Sequence, residues 1–132
     1  ILYVRRMKID LLLQFSVHKK EDIQESRNAV AAILVEQEEI LLAYSHVRDK
    51  VWFTNKRIIA MDVQGLLGSK VEYRTFPYSK ISSFSVETAG TFDGDSDFTI
   101  WMSGVGAFGI KFHKSLDIKE LGRFLSGQVL DH

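Results

Sequence analysis

The GxGxxG spacing of a dinucleotide-binding turn occurs in Gly104-Val105-Gly106-Ala107-Phe108-Gly109. In a true dinucleotide site, a helix follows the glycines and its N-terminal N–H groups bind the pyrophosphate. Here the next residues are Ile110-Lys111-Phe112-His113, in which apolar and polar side chains alternate as they do in a strand. The spacing therefore predicts a glycine-rich hairpin between two strands, and we reject nucleotide binding.

An acidic run, Asp93-Gly94-Asp95-Ser96-Asp97, resembles the first half of a calcium-binding loop. An EF-hand loop needs glycine at its sixth position and glutamate at its twelfth, and these positions hold Phe98 and Gly104. The run therefore predicts a solvated acidic loop and no metal site. A hydrolase that uses a metal at Asp93, Asp95 or Asp97 is the weakest of our functional hypotheses.

The remaining reactive residue types lack the spacing of a catalytic or metal-binding site. No serine lies in a GxSxG turn, and no histidine lies in an HExxH pattern. Cysteine is absent, which excludes disulfides, thiolate metal ligands and a cysteine nucleophile. We therefore expect no enzyme, no metal and no cofactor. The histidines are His18, His46, His113 and His132.

Composition narrows the class of protein further. The chain has 132 residues, of which 45% are hydrophobic, and this is typical of one globular domain. Lysine and arginine total 17, as do aspartate and glutamate, so the basic excess of a nucleic-acid-binding protein is missing. No apolar stretch is long enough for a membrane-spanning helix. A chain without cysteine fits the reducing cytoplasm, which is our expected location.

Basic residues in the predicted turns and strand ends suggest an anion site for a phosphate or a lipid headgroup. The ordinary explanation is surface charge, which also discourages edge-to-edge pairing of strands, and we favour it. A peripheral membrane module that binds anionic headgroups stays open as the alternative function. The residues of this possible anion site are Arg48, Lys50, Lys56 and Arg57.

Trp101 alternates with Phe98, Ile100 and Met102, so we expect it on the outer side of its strand. A large exposed aromatic side chain on a sheet is a candidate anchor for a protein interface. The same alternation predicts exposed polar side chains at Ser85, Glu87 and Thr99.

Short alternating runs separated by polar turns predict a mainly β fold with helices at the two ends of the chain. We divide the chain into an N-terminal helical extension, residues 1–35, and a β domain, residues 36–132. Ser115 is the predicted cap of the C-terminal helix. The predicted strands are 40–47, 51–54, 57–63, 70–76, 81–88, 98–103 and 108–113, and the predicted helices are 20–35 and 116–130.

Several blocks in order resemble the bacterial pleckstrin-homology-like family. This resemblance covers roughly residues 36–130 and is weaker over the first 35 residues. The matching blocks include Phe53-Thr54-Asn55-Lys56-Arg57-Ile58-Ile59, Gly68-Ser69-Lys70-Val71-Glu72-Tyr73, Phe76-Pro77-Tyr78-Ser79-Lys80-Ile81, Phe84-Ser85-Val86-Glu87-Thr88-Ala89-Gly90 and Ile100-Trp101-Met102-Ser103-Gly104.

The resemblance implies a seven-stranded, bent antiparallel barrel capped by the C-terminal helix. It also implies a cyclic homo-oligomer, most often a pentameric ring, whose polar surface at the protomer junctions binds other proteins. Eukaryotic pleckstrin domains that bind phosphoinositides use a basic motif on their first two strands. Here His46, Arg48 and Lys50 surround Asp49 and match that motif poorly. The expected function is therefore a non-catalytic scaffold for protein–protein interaction.

Overall fold

The computed structural model describes residues 11–88 and 94–132, and these residues form nine strands and two α-helices. The strands are β1 (Leu11–Val17), β2 (Lys19–Lys20), β3 (Ile40–His46), β4 (Asp49–Thr54), β5 (Arg57–Gln64), β6 (Lys70–Pro77), β7 (Ile81–Glu87), β8 (Ser96–Met102) and β9 (Gly106–Phe112). The helices are α1 (Ile23–Val30) and α2 (Ile118–Asp131), and short 3-10 turns occupy Ala31–Ile33 and Tyr78–Lys80.

The strands form two sheets that do not close into a continuous barrel. The first sheet is an antiparallel array in the order β2-β3-β4-β5-β6. The second has the order β1-β9-β8-β7, in which β1 runs parallel to β9 and the other neighbours are antiparallel. Because the sheets stay open, β6 and β7 are edge strands.

One large hydrophobic core lies between the sheets. Phe53 and Phe98, both fully buried, meet edge to face with their ring centroids 6.5 Å apart. Phe124 of α2 contacts Phe53 in the same manner at 6.2 Å, so the helix packs directly onto this aromatic cluster. Leu121 and Leu125 of α2 are fully buried in it. The predicted mainly β fold with a C-terminal helix is therefore confirmed.

A smaller apolar cluster lies on the other side of the first sheet, under α1. Trp52 and Ile59 are fully buried there, and Val30 of α1 packs with them. Asp22 begins this helix, because its side chain accepts a hydrogen bond from the Glu25 N–H at 3.0 Å. The helix thus protects an apolar face that the sheet would otherwise present to water.

The N-terminal part of the chain differs from the predicted helical extension. The predicted helix at 20–35 is present as α1 followed by a 3-10 turn, but Leu11–Val17 forms a strand. In that strand Phe15 and Val17 are buried and Ser16 is exposed, which is a period of two. The partner of this strand is β9, about a hundred residues away in the sequence, so local spacing gave no sign of the pairing.

Two further details correct the sequence-based expectations. The cap of α2 is Asp117 and not Ser115: the Asp117 carboxylate accepts N–H bonds from Lys119 and Glu120 at 3.1 and 3.0 Å. An acidic cap also interacts favourably with the helix dipole.

The seven strands of the expected antiparallel barrel correspond to β3–β9, but they belong to two open sheets, and β1 and β2 are additional strands, of which β1 pairs in parallel with β9.

Some predictions fall outside the residues that the structure describes, namely Asp93 of the acidic run and the chain before Leu11. Within the described ranges, no helix combines the length and the apolar character that crossing a membrane requires.

The helix–core contact gives the first testable prediction. Leu121→Ala removes a fully buried side chain of α2, and we expect it to lower the free energy of unfolding by about 2–5 kcal/mol. The matched control is Leu130→Ala on the same helix, whose side chain is 82% exposed and which should change stability by less than about 0.5 kcal/mol. Urea unfolding followed by circular dichroism measures both, and equal effects would contradict the described packing of α2.

Candidate functional site

The predicted interface residues come together on the outer face of β7 and β8. In the register of these strands, Ser85 lies directly opposite Thr99, and Ser83 lies opposite Trp101. Directly opposed residues of an antiparallel pair have Cβ atoms about 5 Å apart. Ser85 is exposed, and Thr99 and Trp101 are partly exposed. We call this surface the β7–β8 face: Ser83, Ser85, Glu87, Asp97, Thr99 and Trp101.

A bulge at the start of β7 sets this register. The pairing shifts between Ile81 and Ser83, and the Ser82 hydroxyl donates a hydrogen bond to the Trp101 carbonyl at 2.8 Å. From there the strand alternates regularly, so Phe84 and Val86 pack against the core while the intervening residues face outward. The predicted outward orientation of Trp101 agrees with this geometry.

The far end of the β7–β8 face is acidic. Glu87 lies directly opposite Asp97, an arrangement of like charges that destabilises a strand pair. Lys111 lies opposite Asp97 on its other side, in β9, and partly compensates that carboxylate. Glu87 is therefore the less compensated charge, and a basic group from outside the protomer would interact with it favourably.

The edge of β7 carries fewer protective residues than the edge of β6. Natural edge strands avoid pairing with other chains by carrying charged side chains or proline. β6 has Lys70, Glu72 and Arg74 and ends at Pro77, whereas Glu87 is the only charged residue of β7. Among the described strands, β7 pairs only with β8, so its second edge has no strand partner within the protomer.

The possible anion-binding residues do not come together. Arg48 and Lys50 lie at one end of β4, and Lys56 and Arg57 lie at the other. This strand has six residues and a length of about 20 Å, which separates the two pairs. Arg48 also donates a hydrogen bond to the Gly65 carbonyl at 2.8 Å. The structure therefore offers no single anion site made of all four residues.

Arg57 belongs to an internal network centred on Glu38. Its Nε and Nη2 atoms donate to the two Glu38 oxygens at 2.8 and 3.0 Å, and Nη2 also donates to the Ile33 carbonyl at 2.7 Å. Its Nη1 atom donates to the Thr75 hydroxyl at 2.9 Å. With Nε, Nη1 and Nη2 all used in this way, Arg57 stabilises the packing of the first sheet.

Glu38 is the important residue that the sequence did not reveal, because it occurs in an unremarkable polar stretch, Glu36-Gln37-Glu38-Glu39. Its side chain is fully buried. Burial alone would raise its pKa, but hydrogen bonds from Arg57, the Val35 N–H and the Thr54 hydroxyl, together with the Arg57 charge, hold the pKa below its ordinary value of 4.5. Glu38 is therefore ionised at neutral pH.

Three of the four histidines lie together where the ends of β1, β3 and β9 meet, whereas His132 lies against Tyr78 at the end of α2. The rings of His18 and His46 are nearly parallel with centroids 3.8 Å apart, and His113 lies 5.0 Å from His18. Stacked rings turn their faces, and not their nitrogen atoms, toward one another. Over residues 11–88 and 94–132, no group of three or more histidine, cysteine or acidic residues has an arrangement that could hold a metal ion.

The two sequence motifs considered for ligand binding have structural roles in the described residues. The glycine-rich run forms the β8–β9 hairpin, in which the Val105 N–H donates to the Met102 carbonyl at 2.9 Å, so the predicted hairpin is confirmed. In the acidic run, Asp95 accepts a hydrogen bond from the Lys114 N–H at 3.2 Å and Asp97 lies within β8.

Comparisons with known proteins agree with the fold. A family model described as "Bacterial PH domain" matches residues 10–129. The uncharacterized protein YjqA of Bacillus subtilis (strain 168) is 44% identical over 99 residues, which cover 74% of this chain and 79% of YjqA. The uncharacterized protein YozO of the same organism is 36% identical over 113 residues, which cover 85% of this chain and 93% of YozO.

Solved structures give the same result. A DUF1696 family protein with a pleckstrin-homology domain from Shewanella loihica PV-4 has a TM-score of 0.78 at 35% identity, over 83% of this chain and 95% of that one. A pleckstrin homology domain from Shewanella amazonensis SB2B has a TM-score of 0.69 at 36% identity, over 83% and 89%. A PH domain containing protein from Exiguobacterium sibiricum 255-15, at 22% identity, shares the fold with a TM-score of 0.66, over 86% and 62%.

The Glu38 network predicts a large effect of Arg57→Ala. Removing the guanidinium leaves a buried carboxylate unpaired, so we expect the free energy of unfolding to fall by about 3 kcal/mol. Arg74→Ala is the matched control, because Arg74 pairs with Glu72 at the surface and should contribute less than about 1 kcal/mol. If urea unfolding gave the same loss of unfolding free energy for both variants, the buried Glu38–Arg57 pair would contribute no more to stability than a surface pair.

The same network predicts a pH dependence. The pKa of Glu38 is lower in the folded state than in the unfolded chain, so its stabilising contribution is complete above pH 4.5 and is lost as the pH falls through the lowered pKa. Glu38→Gln removes this contribution, and the stability difference between wild type and variant should shrink as the pH falls below 4.5. Glu39→Gln, an exposed neighbour, serves as the control. A pH-independent difference in urea unfolding would contradict the assignment.

Proposed function

This chain belongs to the bacterial PH domain family, and we propose that it is a non-catalytic scaffold that assembles into a cyclic homo-oligomer and binds a protein partner. The observation that carries the proposal is the unprotected edge of β7 beside the β7–β8 face. An edge strand that presents unpaired backbone groups and few charges is a template for pairing with another chain.

A ring requires a contact between two different patches, because head-to-tail contacts repeat around an axis until they close. The second open edge, β6, supplies the other patch: its charged side chains discourage pairing with a second β6, but they do not repel the β7 edge, whose only charge is Glu87. Val71 and Tyr73 are exposed on β6 and provide apolar area, and the partly exposed Arg74 provides a basic group for the acidic end of the β7–β8 face. Contact between β7 of one copy and β6 of the next would therefore bring opposite charges together and bury exposed apolar side chains.

Trp101 and the polar residues beside it make the β7–β8 face suitable for a protein partner. Aromatic side chains surrounded by hydroxyl and carboxylate groups combine apolar burial with hydrogen bonding at interfaces. Ser85 and Thr99 contribute hydroxyl groups, and Glu87 contributes a carboxylate. In a ring, this face lies next to the junction between copies, which is where we place the partner.

Native mass spectrometry of the full chain tests the assembly. We expect a single closed oligomer, pentameric by resemblance to the family, and we expect Ser85→Lys to shift it to monomers because a lysine on β7 opposes strand pairing. Asn28→Lys adds a lysine at an exposed position of α1, outside both strand edges, and should leave the oligomer intact.

A wild-type chain that is monomeric at micromolar concentration would refute the ring. An oligomer that survives Ser85→Lys would refute the β7 contact. Thermal unfolding of both lysine variants confirms that each is folded, so that loss of assembly is not loss of structure.

A further inference from the structure

Two neighbouring hairpin turns expose aliphatic side chains at one end of the first sheet. The β5–β6 turn presents Leu66 and Leu67, which are 101% and 94% exposed. The β3–β4 turn presents Val47, which is 82% exposed. We call these three residues the aliphatic tip. It belongs to the first sheet, whereas the β7–β8 face belongs to the second, and none of its three side chains takes part in the proposed ring contact.

Glycine residues and hydrogen bonds fix the backbone conformation of the aliphatic tip. Gly65 and Gly68 flank the leucines with φ of +82° and +65°, and the Gly68 N–H donates to the Gly65 carbonyl at 3.2 Å. Both angles lie in the left-handed region that glycine adopts without strain. Arg48 donates to the same Gly65 carbonyl at 2.8 Å and so joins the two turns. The leucines are therefore carried on a hydrogen-bonded turn.

Valine at position 47 lowers the stability of the β3–β4 turn. It occupies a two-residue turn with φ of +54°, where glycine, asparagine or aspartate is preferred and a β-branched residue is strained. Its side chain gains no burial in return. An exposed aliphatic group retained at the cost of backbone strain is consistent with a contact made outside the protomer.

The shape and charge of the tip favour a bilayer over a protein groove. The aliphatic groups protrude at the ends of hairpins and can enter the boundary between headgroups and acyl chains, where their burial is favourable. Arg48 and Lys70 flank them and are exposed. The carboxylates of the same strands have partners within the protein: Asp49 accepts from the Val63 N–H, Asp62 accepts from Gln64, and Glu72 pairs with Arg74. Basic groups at that depth are attracted to anionic headgroups.

We propose that the aliphatic tip docks on an anionic membrane surface by inserting Val47, Leu66 and Leu67 into the bilayer interface. Arg48 and Lys70 lie at headgroup level and supply the electrostatic attraction. This differs from headgroup capture by Arg48, Lys50, Lys56 and Arg57, because the aliphatic groups carry the binding. A single tip binds weakly, whereas several tips on one assembly would bind together.

A site-specific fluorophore tests the insertion directly. The chain has no cysteine, so Leu67→Cys labelled with an environment-sensitive dye reports on this position alone. We expect a blue shift on vesicles of phosphatidylcholine mixed with phosphatidylserine, and a smaller shift with added salt. Leu130→Cys, at a position 82% exposed on α2, is the matched control and should show no shift.

Vesicle sedimentation of the unlabelled protein completes the test. We expect Leu66→Ser with Leu67→Ser to reduce the bound fraction about tenfold, and Leu130→Ser to leave it unchanged. Absence of wild-type binding to the mixed vesicles, or equal binding by the double variant, would overturn the proposal. A change of oligomer size in the double variant without loss of vesicle binding would also overturn it, and would assign the tip to contacts between copies. Because native mass spectrometry measures assembly separately, failure of the ring and failure of membrane docking are distinguishable.

Discussion

The buried ion pair between Glu38 and Arg57 joins parts of the chain that secondary structure alone would leave independent. Through Arg57 it connects the β4–β5 turn to the Ile33 carbonyl at the end of the helical segment and to Thr75 of β6. The Glu38 carboxylate also accepts hydrogen bonds from the Thr54 hydroxyl and the Val35 N–H. A charge placed inside a protein is tolerated only when such partners surround it. The connection before β3 is consequently held against the first sheet.

Helix α1, which precedes this connection, covers one sheet and not the other, so the two sheets have different outer surfaces. On the first sheet, α1 covers the cluster around Trp52 and Ile59, so that apolar surface is inside the protein. On the second sheet, the β7–β8 face has Trp101 partly exposed. The open architecture also leaves β6 and β7 as edges. The surfaces proposed for assembly are therefore those that the N-terminal helix does not cover.

The assembly surface and the aliphatic tip place two different interactions on one small domain. Strand pairing and an aromatic anchor fix copies relative to one another, whereas exposed leucines on a hairpin tip add an interaction with each copy. If both operate, assembly raises the effective concentration of tips at a membrane without any new contact. The same fold would then connect a protein partner to a surface.

Local sequence patterns determined much of the fold. Alternation of apolar and polar residues identified β3 to β9 within a few residues of their ends, and helical spacing identified α2, because both patterns depend only on neighbours along the chain. The same alternation placed Trp101, Ser85, Glu87 and Thr99 on one side of their strands. Register then brought them together, and this required knowing that β7 and β8 are partners.

Tertiary structure decided what depends on distant residues. Leu11–Val17 is a strand because β9 is beside it, although it lies in the predicted N-terminal helical extension. Arg57 is a structural residue because Glu38 lies within hydrogen-bonding distance, and His18, His46 and His113 come together because three strand ends meet. Leu66 and Leu67 are likewise fully exposed because no described part of the chain packs against them. Side-chain type is a property of the sequence, whereas pairing, burial and exposure are properties of the folded chain, since non-local contacts create them.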